Sequence, residues 1–296
     1  MVDLDSLIIA VFCLVDDTLR RVAPGRLRRR GPRPTLFDAE VLTIEVVGEY
    51  LGLDREAELF SYFRRHYAHF FPALAGVHRT TFVRQAANLW KVKEALWQQL
   101  IERTGCDPAW AMADSFPLAV CRFGRALRCR RFRGLADYGQ DHAAKATIYG
   151  FRLHARVCWP GVVTRLSVAP AGVSDLTVLE ELTDETAGVC LADRAYWAPE
   201  LSEWLRGRGV ELLVPFKKRA TDPAPERSRR MTRIRYRIET VFSQLCERFL
   251  VKRVWARDLW HLSSRLLRKV LAHTLMVVLN REQGHEPLRL AELLIN

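Results

Sequence analysis

Residues 147–169 read TIYGFRLHARVCWPGVVTRLSVA, two partly alternating apolar runs joined at Pro160-Gly161. Alternation with a period of two makes a half-buried strand, and a Pro-Gly pair between two such runs marks a hairpin. The flanking sequence extends this hairpin into a sheet. Upstream, AWAMA (109–113) is a strand-like run that leads into Asp114; downstream, a helical stretch at 175–186 precedes a short buried strand at 189–192, a helix at 200–208 and a strand at 210–214. Strands first, then strands alternating with helices, predict an α/β fold with a mixed sheet and helices on its faces.

The first 105 or so residues have an all-α texture, with helices expected over 5–22, from a cap at Thr35 or Asp38 through Leu51, and over 56–68 and 80–102. Between the first two lies APGRLRRRGPRP (23–34), a linker broken by Pro24, Pro32 and Pro34; seven basic residues from Arg20 to Arg33 meet no acid there. Arg64, Arg65, Arg79 and Arg84 on the later helices suit either a helix-turn-helix reader of DNA or a helical bundle with solvated arginines.

The chain of 296 residues carries a net charge of +12 and a pI near 9.7, which points to a polyanionic partner, nucleic acid before a membrane surface. The longest apolar run, Leu7 to Val15, is too short to span a bilayer, and Asp3 and Asp5 precede it where a signal peptide would be positive. Seven scattered cysteines without a Cys-x-x-Cys pair argue against a disulfide framework or a zinc site and fit reduced thiols in a cytoplasm.

The stretch RSRRMTRIRYRIETVFSQLCERFLVKR (227–253) predicts an amphipathic helix with Ile234, Ile238, Val241, Phe242, Leu245 and Phe249 on one face and Glu239 beside it. Nine Lys or Arg fall between Lys217 and Arg237 against only Asp222 and Glu226, so Glu239 is expected as an anionic ligand beside a phosphate-attracting surface. Asp114 and Asp193 each follow an apolar strand, where ligand sites of α/β sheets gather. Either one alone would more often cap a turn. Together with Glu239, and with no His or Cys cluster in competition, they describe a hard-cation site for magnesium, with room for two ions to clamp the oxygens of a phosphodiester.

Four further segments carry a resemblance: MADSFPLAVCRFGRALRCRRFRG from Met112, YGFRLHARV from Tyr149, LADRAYWAPE from Leu191 and RIRYRIETVFSQLCERF from Arg233. With FDAEVLTIEVVGEYLG and HRTTFVRQAANL in the N-terminal part, they resemble insertion-sequence transposases of the DDE superfamily across nearly the whole chain. The resemblance implies an all-α N-terminal domain at 1–105, with DNA binding among its expected roles, and an RNase H-like catalytic domain with C-terminal helices at 106–296. It also implies that Asp114, Asp193 and Glu239 form the DDE triad on two Mg2+ ions, Mn2+ being an alternative. Double-stranded DNA would be the substrate, both transposon ends and target, handled by a homodimer assembled on DNA in the bacterial cytoplasm at the nucleoid, with no membrane. Arg235, four before Glu239, matches the arginine of the family's C-terminal signature; the signature's tyrosine and lysine are Thr232 and Cys246 here, with Arg248 or Lys252 as substitutes. A magnesium-dependent endonuclease of the same fold and a non-catalytic DNA-binding derivative are the alternatives.

Phosphate contacts are expected from the acid-free block Arg122, Arg125, Arg128, Arg130, Arg131 and Arg133, from Lys145, and from Lys217 and Lys218; a solubilising loop is the plain alternative for the block. Trp197 suits stacking on an unpaired base or core packing. His154 reads as a core or near-site histidine, and Asp141 and His142 lie in a polar loop. The apolar helix after Trp255 is expected to pack on the sheet or to serve a dimer.

Overall fold

A computed structural model of the chain describes residues 2–25, 27–28, 31–218 and 221–294. Arg26, Arg29 and Arg30 of the basic linker, and Arg219 of the run before Glu239, lie outside the described residues. In chain order the elements are α1 (Leu4–Val22), α2 (Asp38–Tyr50), α3 (Glu56–His66), α4 (Arg79–Asn88), α5 (Trp90–Thr104), β1 (Asp107–Ala119), β2 (Asp137–Asp141), β3 (Ala146–Trp159), β4 (Val162–Pro170), α6 (Asp175–Thr183), β5 (Gly188–Leu191), α7 (Pro199–Gly207), β6 (Val210–Leu213), α8 (Pro225–Ser243) and α9 (Leu259–Glu282). They form two compact units, a helical one of residues 1–104, 244–251 and 255–296, and a sheet unit of residues 105–243 and 252–254. Among the described residues no helix is long and apolar enough to cross a membrane.

In the sheet unit, β1 runs antiparallel to β3 on one side and parallel to β5 on the other, and β6 extends the parallel part beyond β5. The hairpin expected at Pro160-Gly161 is β3 and β4, paired from Cys158 and Val162 outward. β2 pairs with the first residues of β3 and β4 with the rest, both on the edge away from β1. The resulting order β4-β3-β1-β5-β6, three antiparallel strands followed by two parallel to the first, is that of an RNase H-like fold. Side chains alternate across the sheet. Ala113, Cys190 and Leu212 meet Val178, Leu179 and Leu182 of α6 and Leu205 of α7, while on the opposite face Phe116 meets Phe242 of α8 edge-on at 4.7 Å. Gly188 fits the tight start of β5: its φ is +103°, and an added Cβ would stand 2.4 Å from the Ala109 carbonyl oxygen.

β1 is longer than the sequence suggests. Asp114 was expected at a strand end; the strand continues through it to Ala119, because the residues after it keep a continuous register with β3, Asp114 facing Ala155 and Ala119 facing Gly150. The stretch expected as one helix over 80–102 divides at Leu89 into α4 and α5.

In the helical unit, α9 packs with α2, α4 and α5 rather than on the sheet. The reason is charge as much as apolar area. α9 buries Arg265, Arg268 and Lys269, and α2 buries Glu45 and Glu49. Glu49 pairs with Lys269 at 2.6 Å and with Arg268, Glu45 pairs with Lys93 of α5 at 2.7 Å, and Arg265 pairs with Glu56. Charges withdrawn from water must meet partners, so these two helices specify each other. Burial pulls Lys269 down to about 8. Arg64, Arg65, Arg79 and Arg84 are exposed, but α3 and α4 are joined by residues 67–78, longer than a three- or four-residue helix-turn-helix connection. In the basic linker, Arg28 makes two bonds to Asp38, at 2.7 and 3.1 Å.

His273 of α9 is buried, its Nε2 donating to Gln244 Oε1 at 2.9 Å, and burial depresses its pKa from 6.5 to about 4. The unfolded chain therefore takes up this proton first as pH falls through 6.5, so stability is full above that value and declines towards pH 4 by about 1.4 kcal/mol per unit. Urea titrations between pH 7 and 4.5 check this: His273→Gln is expected to flatten the decline, and an unchanged slope would rule His273 out as its source.

Candidate active site

Asp114 and Asp193 reach the site from neighbouring strands. Met112 of β1 and Leu191 of β5 are register partners, and each acid lies two residues further along its chain, on the same side of the sheet. β5 ends at Leu191, and the extended backbone at Asp193 (φ −81°, ψ −179°) carries its carboxylate on, where Oδ1 accepts the Ala195 N–H at 2.8 Å and caps a single helical turn. Asp114 Oδ1 accepts the Ser115 N–H at 2.8 Å, and Oδ2 accepts from the Arg235 guanidinium at 2.8 Å.

Burial, with the charge of Asp193 adding to it, pushes the Asp114 carboxyl above its ordinary value, while Arg235 and the Ser115 N–H pull the other way. Asp193 is thus close enough for its charge to be felt. Glu239 is exposed, four residues beyond Arg235 on α8, so the two share one helix face, and Arg235 brings that face to Asp114. Among the described residues, no three His, Cys, Asp or Glu side chains stand together as a metal-holding group. The two aspartates nevertheless fit a hard divalent cation by donor chemistry. They offer oxygens only, and a cation between them would relieve a mutual repulsion that Arg235 offsets from one side.

A second set of residues backs the first strand from the α6 face, and sequence reasoning missed it. Arg152 of β3 donates to Ser115 Oγ at 3.0 and 3.1 Å and pairs with Asp175 at 3.1 Å. Asp175 opens α6, whose N-cap is Ser174. His154 is buried with its Nδ1 3.7 Å from Asp175, neither ring nitrogen hydrogen-bonded, and burial lowers its pKa to about 4. The Tyr196 hydroxyl, also buried and without a hydrogen-bond partner among the described residues, is pushed up by burial and by the charges of Asp175, Asp114 and Asp193. The only hint in the sequence was Ser-Asp before an apolar run, an ordinary helix start.

The expected phosphate contacts divide. Arg122, Arg125, Arg128, Arg130 and Arg133 are exposed on the segment after β1, as are Lys145, in a left-handed turn at φ 51°, and Lys217 and Lys218. Arg131 is engaged within the fold, donating to the carbonyls of Val120 and Val254. Trp197 packs edge-on against Phe216 at 4.9 Å. Asp141 accepts the N–H groups of Ala143 and Ala144 and closes a turn. The Lys252 ammonium lies over the Phe116 ring at 5.9 Å, and Arg248 stacks on Tyr50 in the helical unit at 4.2 Å.

Arg235 and Asp114 expose only 11% and 21% of their side chains, so removing the cation strands a half-buried carboxylate. Arg235→Gln is expected to cost about 1–3 kcal/mol in urea denaturation at pH 7, and less at pH 4, where protonation neutralises Asp114. An equal loss at both pH values would mean that the pair contributes through packing alone.

No curated protein and no solved structure matches the chain. The family model described as a transposase DDE domain matches residues 105–258, just over half of the sequence and the whole of the β1-to-α8 region. An aspartate within β1, a second just past β5, a helix-borne glutamate and an RNase H-like strand order lie within that match, and the chain belongs to the transposase DDE domain family.

Proposed function

We propose that the chain is a DNA transposase that cleaves the ends of its element and joins the freed 3′ hydroxyl to target DNA, with Asp114, Asp193 and Glu239 as its catalytic and metal-holding residues. The observation that carries this reading is that Asp114 of β1 and Asp193, just beyond β5, each lie two residues past the Met112–Leu191 register pair, with the charge of Asp193 felt at Asp114. Two magnesium ions, or manganese in their place, would supply Lewis-acid stabilisation of the attacking and leaving oxygens of a phosphodiester. Asp114 and Asp193 would supply the shared oxygens, and Glu239 would complete the set from α8.

In the first reaction a water oxygen adds to phosphorus and the 3′ oxygen leaves with a proton. In the second that 3′ oxygen attacks a target phosphorus in line, and the target's own 3′ oxygen leaves. No side chain becomes bonded to DNA. Arg235, held by Asp114 before the cations bind, would turn to the scissile strand once they replace it. Arg128, Arg130 and Arg133 would hold backbone phosphates, with Arg131 anchoring their segment to Val120 and Val254, and Lys145, Lys217 and Lys218 would extend the cationic surface. The helical unit, to which α9 belongs together with residues 1–104, would add DNA contacts, and the sheet unit would be the catalytic part. Two transposon ends brought together call for a homodimer assembled on DNA, acting in the bacterial cytoplasm at the nucleoid.

A plasmid carrying the element's terminal repeats, incubated with protein and magnesium, tests the chemistry. Wild type is expected to release 3′ ends and join them to a second plasmid, and Asp114→Asn to lower both products at least a hundredfold while still binding DNA. Cleavage without joining would make the chain a nuclease, and full activity of Asp114→Asn would remove the carboxylate from the mechanism.

Each phosphate contact adds about 0.9 to the slope of log affinity against log salt. Arg128→Ala, Arg130→Ala and Arg133→Ala combined should therefore lower the slope by roughly 2 to 3 in fluorescence anisotropy titrations. An unaltered slope would reduce the block to a solubilising surface.

A further inference from the structure

The cysteines form no motif in the sequence, but the fold brings two pairs of them together. Cys106, just before β1, interacts with Cys158 of β3, and Cys121, just after β1, interacts with Cys129. Their surroundings differ. Cys158 is fully buried, and its sulfur is engaged with Arg156 Nη1 at 3.2 Å and with Thr164 Oγ1 at 3.3 Å. Cys121 and Cys129 are only half-buried, so a small solute reaches them.

This second pair stands at the neck of the arginine-bearing segment. The chain leaves the sheet at Val120, whose N–H donates to the Tyr149 carbonyl at 2.9 Å, and turns through a short 3₁₀ helix at Phe123–Arg128. It returns at Cys129, whose N–H closes the turn on the Ala126 carbonyl at 3.0 Å. Arg131 then reaches back to the carbonyl of Val120, the neighbour of Cys121, and the Cys129 sulfur lies 3.8 Å from the Arg131 carbonyl oxygen. Both sulfurs stand close enough to Tyr149 of β3 to act on its hydroxyl. One thiol is thus held at each end of the excursion that carries Arg122, Arg125 and Arg128 into water. A disulfide needs Cα atoms about 4.4–6.8 Å apart and side chains aimed at each other, which thiols interacting across a clasped neck reach with little backbone movement.

We propose that Cys121 and Cys129 form a reversible oxidation site, joined as a disulfide by hydrogen peroxide and reopened by a dithiol, and that the bond fixes the neck of the segment bearing Arg122, Arg125 and Arg128. Peroxide gives one oxygen to the first sulfur: the O–O bond breaks, an S–O bond forms, and water leaves with the thiol proton. The second thiol displaces that oxygen: an S–S bond forms, the S–O bond breaks, and a second water leaves. Two thiols are oxidised and one peroxide is reduced to two waters. Burial and the neighbouring Cys129 raise the Cys121 thiol above its ordinary value against the pull of Arg131 and Arg125, so Cys121 suits the second role, passing its proton to the departing oxygen. A reducing compartment keeps such a pair open until an oxidant arrives. The site does not depend on the transposase reading; it sets how freely a cationic surface moves, whatever anion that surface meets.

Peptide mapping of the full chain after excess hydrogen peroxide tests the chemistry. The protein is unfolded, alkylated and digested with trypsin, and its peptides are weighed with and without dithiothreitol. Wild type is expected to give the Cys121 and Cys129 peptides joined within one monomer and separated by dithiothreitol, with Cys106 and Cys158 alkylated as thiols. Both cysteines of the neck alkylated as thiols, either one oxidised singly to sulfinic acid, or either one joined to another cysteine or another chain would overturn the proposal on wild-type protein alone. Limited proteolysis of the native protein reads the consequence: trypsin should cut after Arg122, Arg125 and Arg128 about fivefold more slowly in the oxidised form than in the reduced one. Cys121→Ser should show no such slowing, and Arg131→Gln, which opens the clasp but leaves both thiols, should widen the ratio. Equal cutting of wild type in its two states, with the disulfide formed, would deny that the bond holds the segment.

Discussion

Asp114 lies in the interior of the central strand of the sheet, where burial and charge oppose each other. A carboxylate there must be protonated, paired or bound to a cation. The fold pairs it, and its partner Arg235 comes from a helix 121 residues later in the chain. That requirement accounts for much of the sheet unit. α8 must lie along β1 on the face opposite α6 and α7, with Phe242 on Phe116 fixing one point of the line and Arg235 on Asp114 another. β1 must be central so that a parallel neighbour can bring Asp193 to the same side. Gly188 permits that neighbour to begin its pairing close against the Ala109 backbone.

The same strand is supported from behind. Ser115, whose side chain points to the other face, accepts from Arg152, and Arg152 is held in turn by Asp175 at the start of α6. The acid on one face and its neighbour on the other are thus both tied to charged groups, which leaves little freedom for the backbone between them. Packing alone would set such a strand less closely, because apolar contact is not directional.

What could be read in the sequence follows from how local each signal is. The hairpin and the strands β5 and β6 carry their own alternation or apolar runs, and the three acids stand in motifs. β2 is not legible in the sequence because DYGQD is a polar edge strand paired, among the described residues, with β3 alone, and neither face has an apolar pattern. Asp114 looked like the end of a strand because apolar residues precede it and Ser, Pro and a basic run follow; only pairing with β3 shows that the strand continues. Periodicity marked α9 as buried but not what it is buried against. The deciding residues, Arg265, Arg268 and Lys269, look like ordinary solvated cations until Glu45, Glu49 and Glu56 are placed beside them. Trp197, which the sequence suits to base stacking or to core packing, is packed on Phe216, whereas Trp110 and Trp159, which no motif marks, are half open.

The helical unit is assembled from both ends of the chain, and Val2 even bridges to Leu294. On the ribosome, α2 emerges with Glu45 and Glu49 long before α9 supplies Arg268 and Lys269. Until then Glu49 lacks its cations and Glu45 has only Lys93 of α5, so the bundle stays incomplete while the sheet unit is synthesised. Completion of the bundle therefore waits on α9: a chain interrupted before it would leave Glu49 of α2 without Arg268 and Lys269, and a carboxylate without its cations resists withdrawal from water.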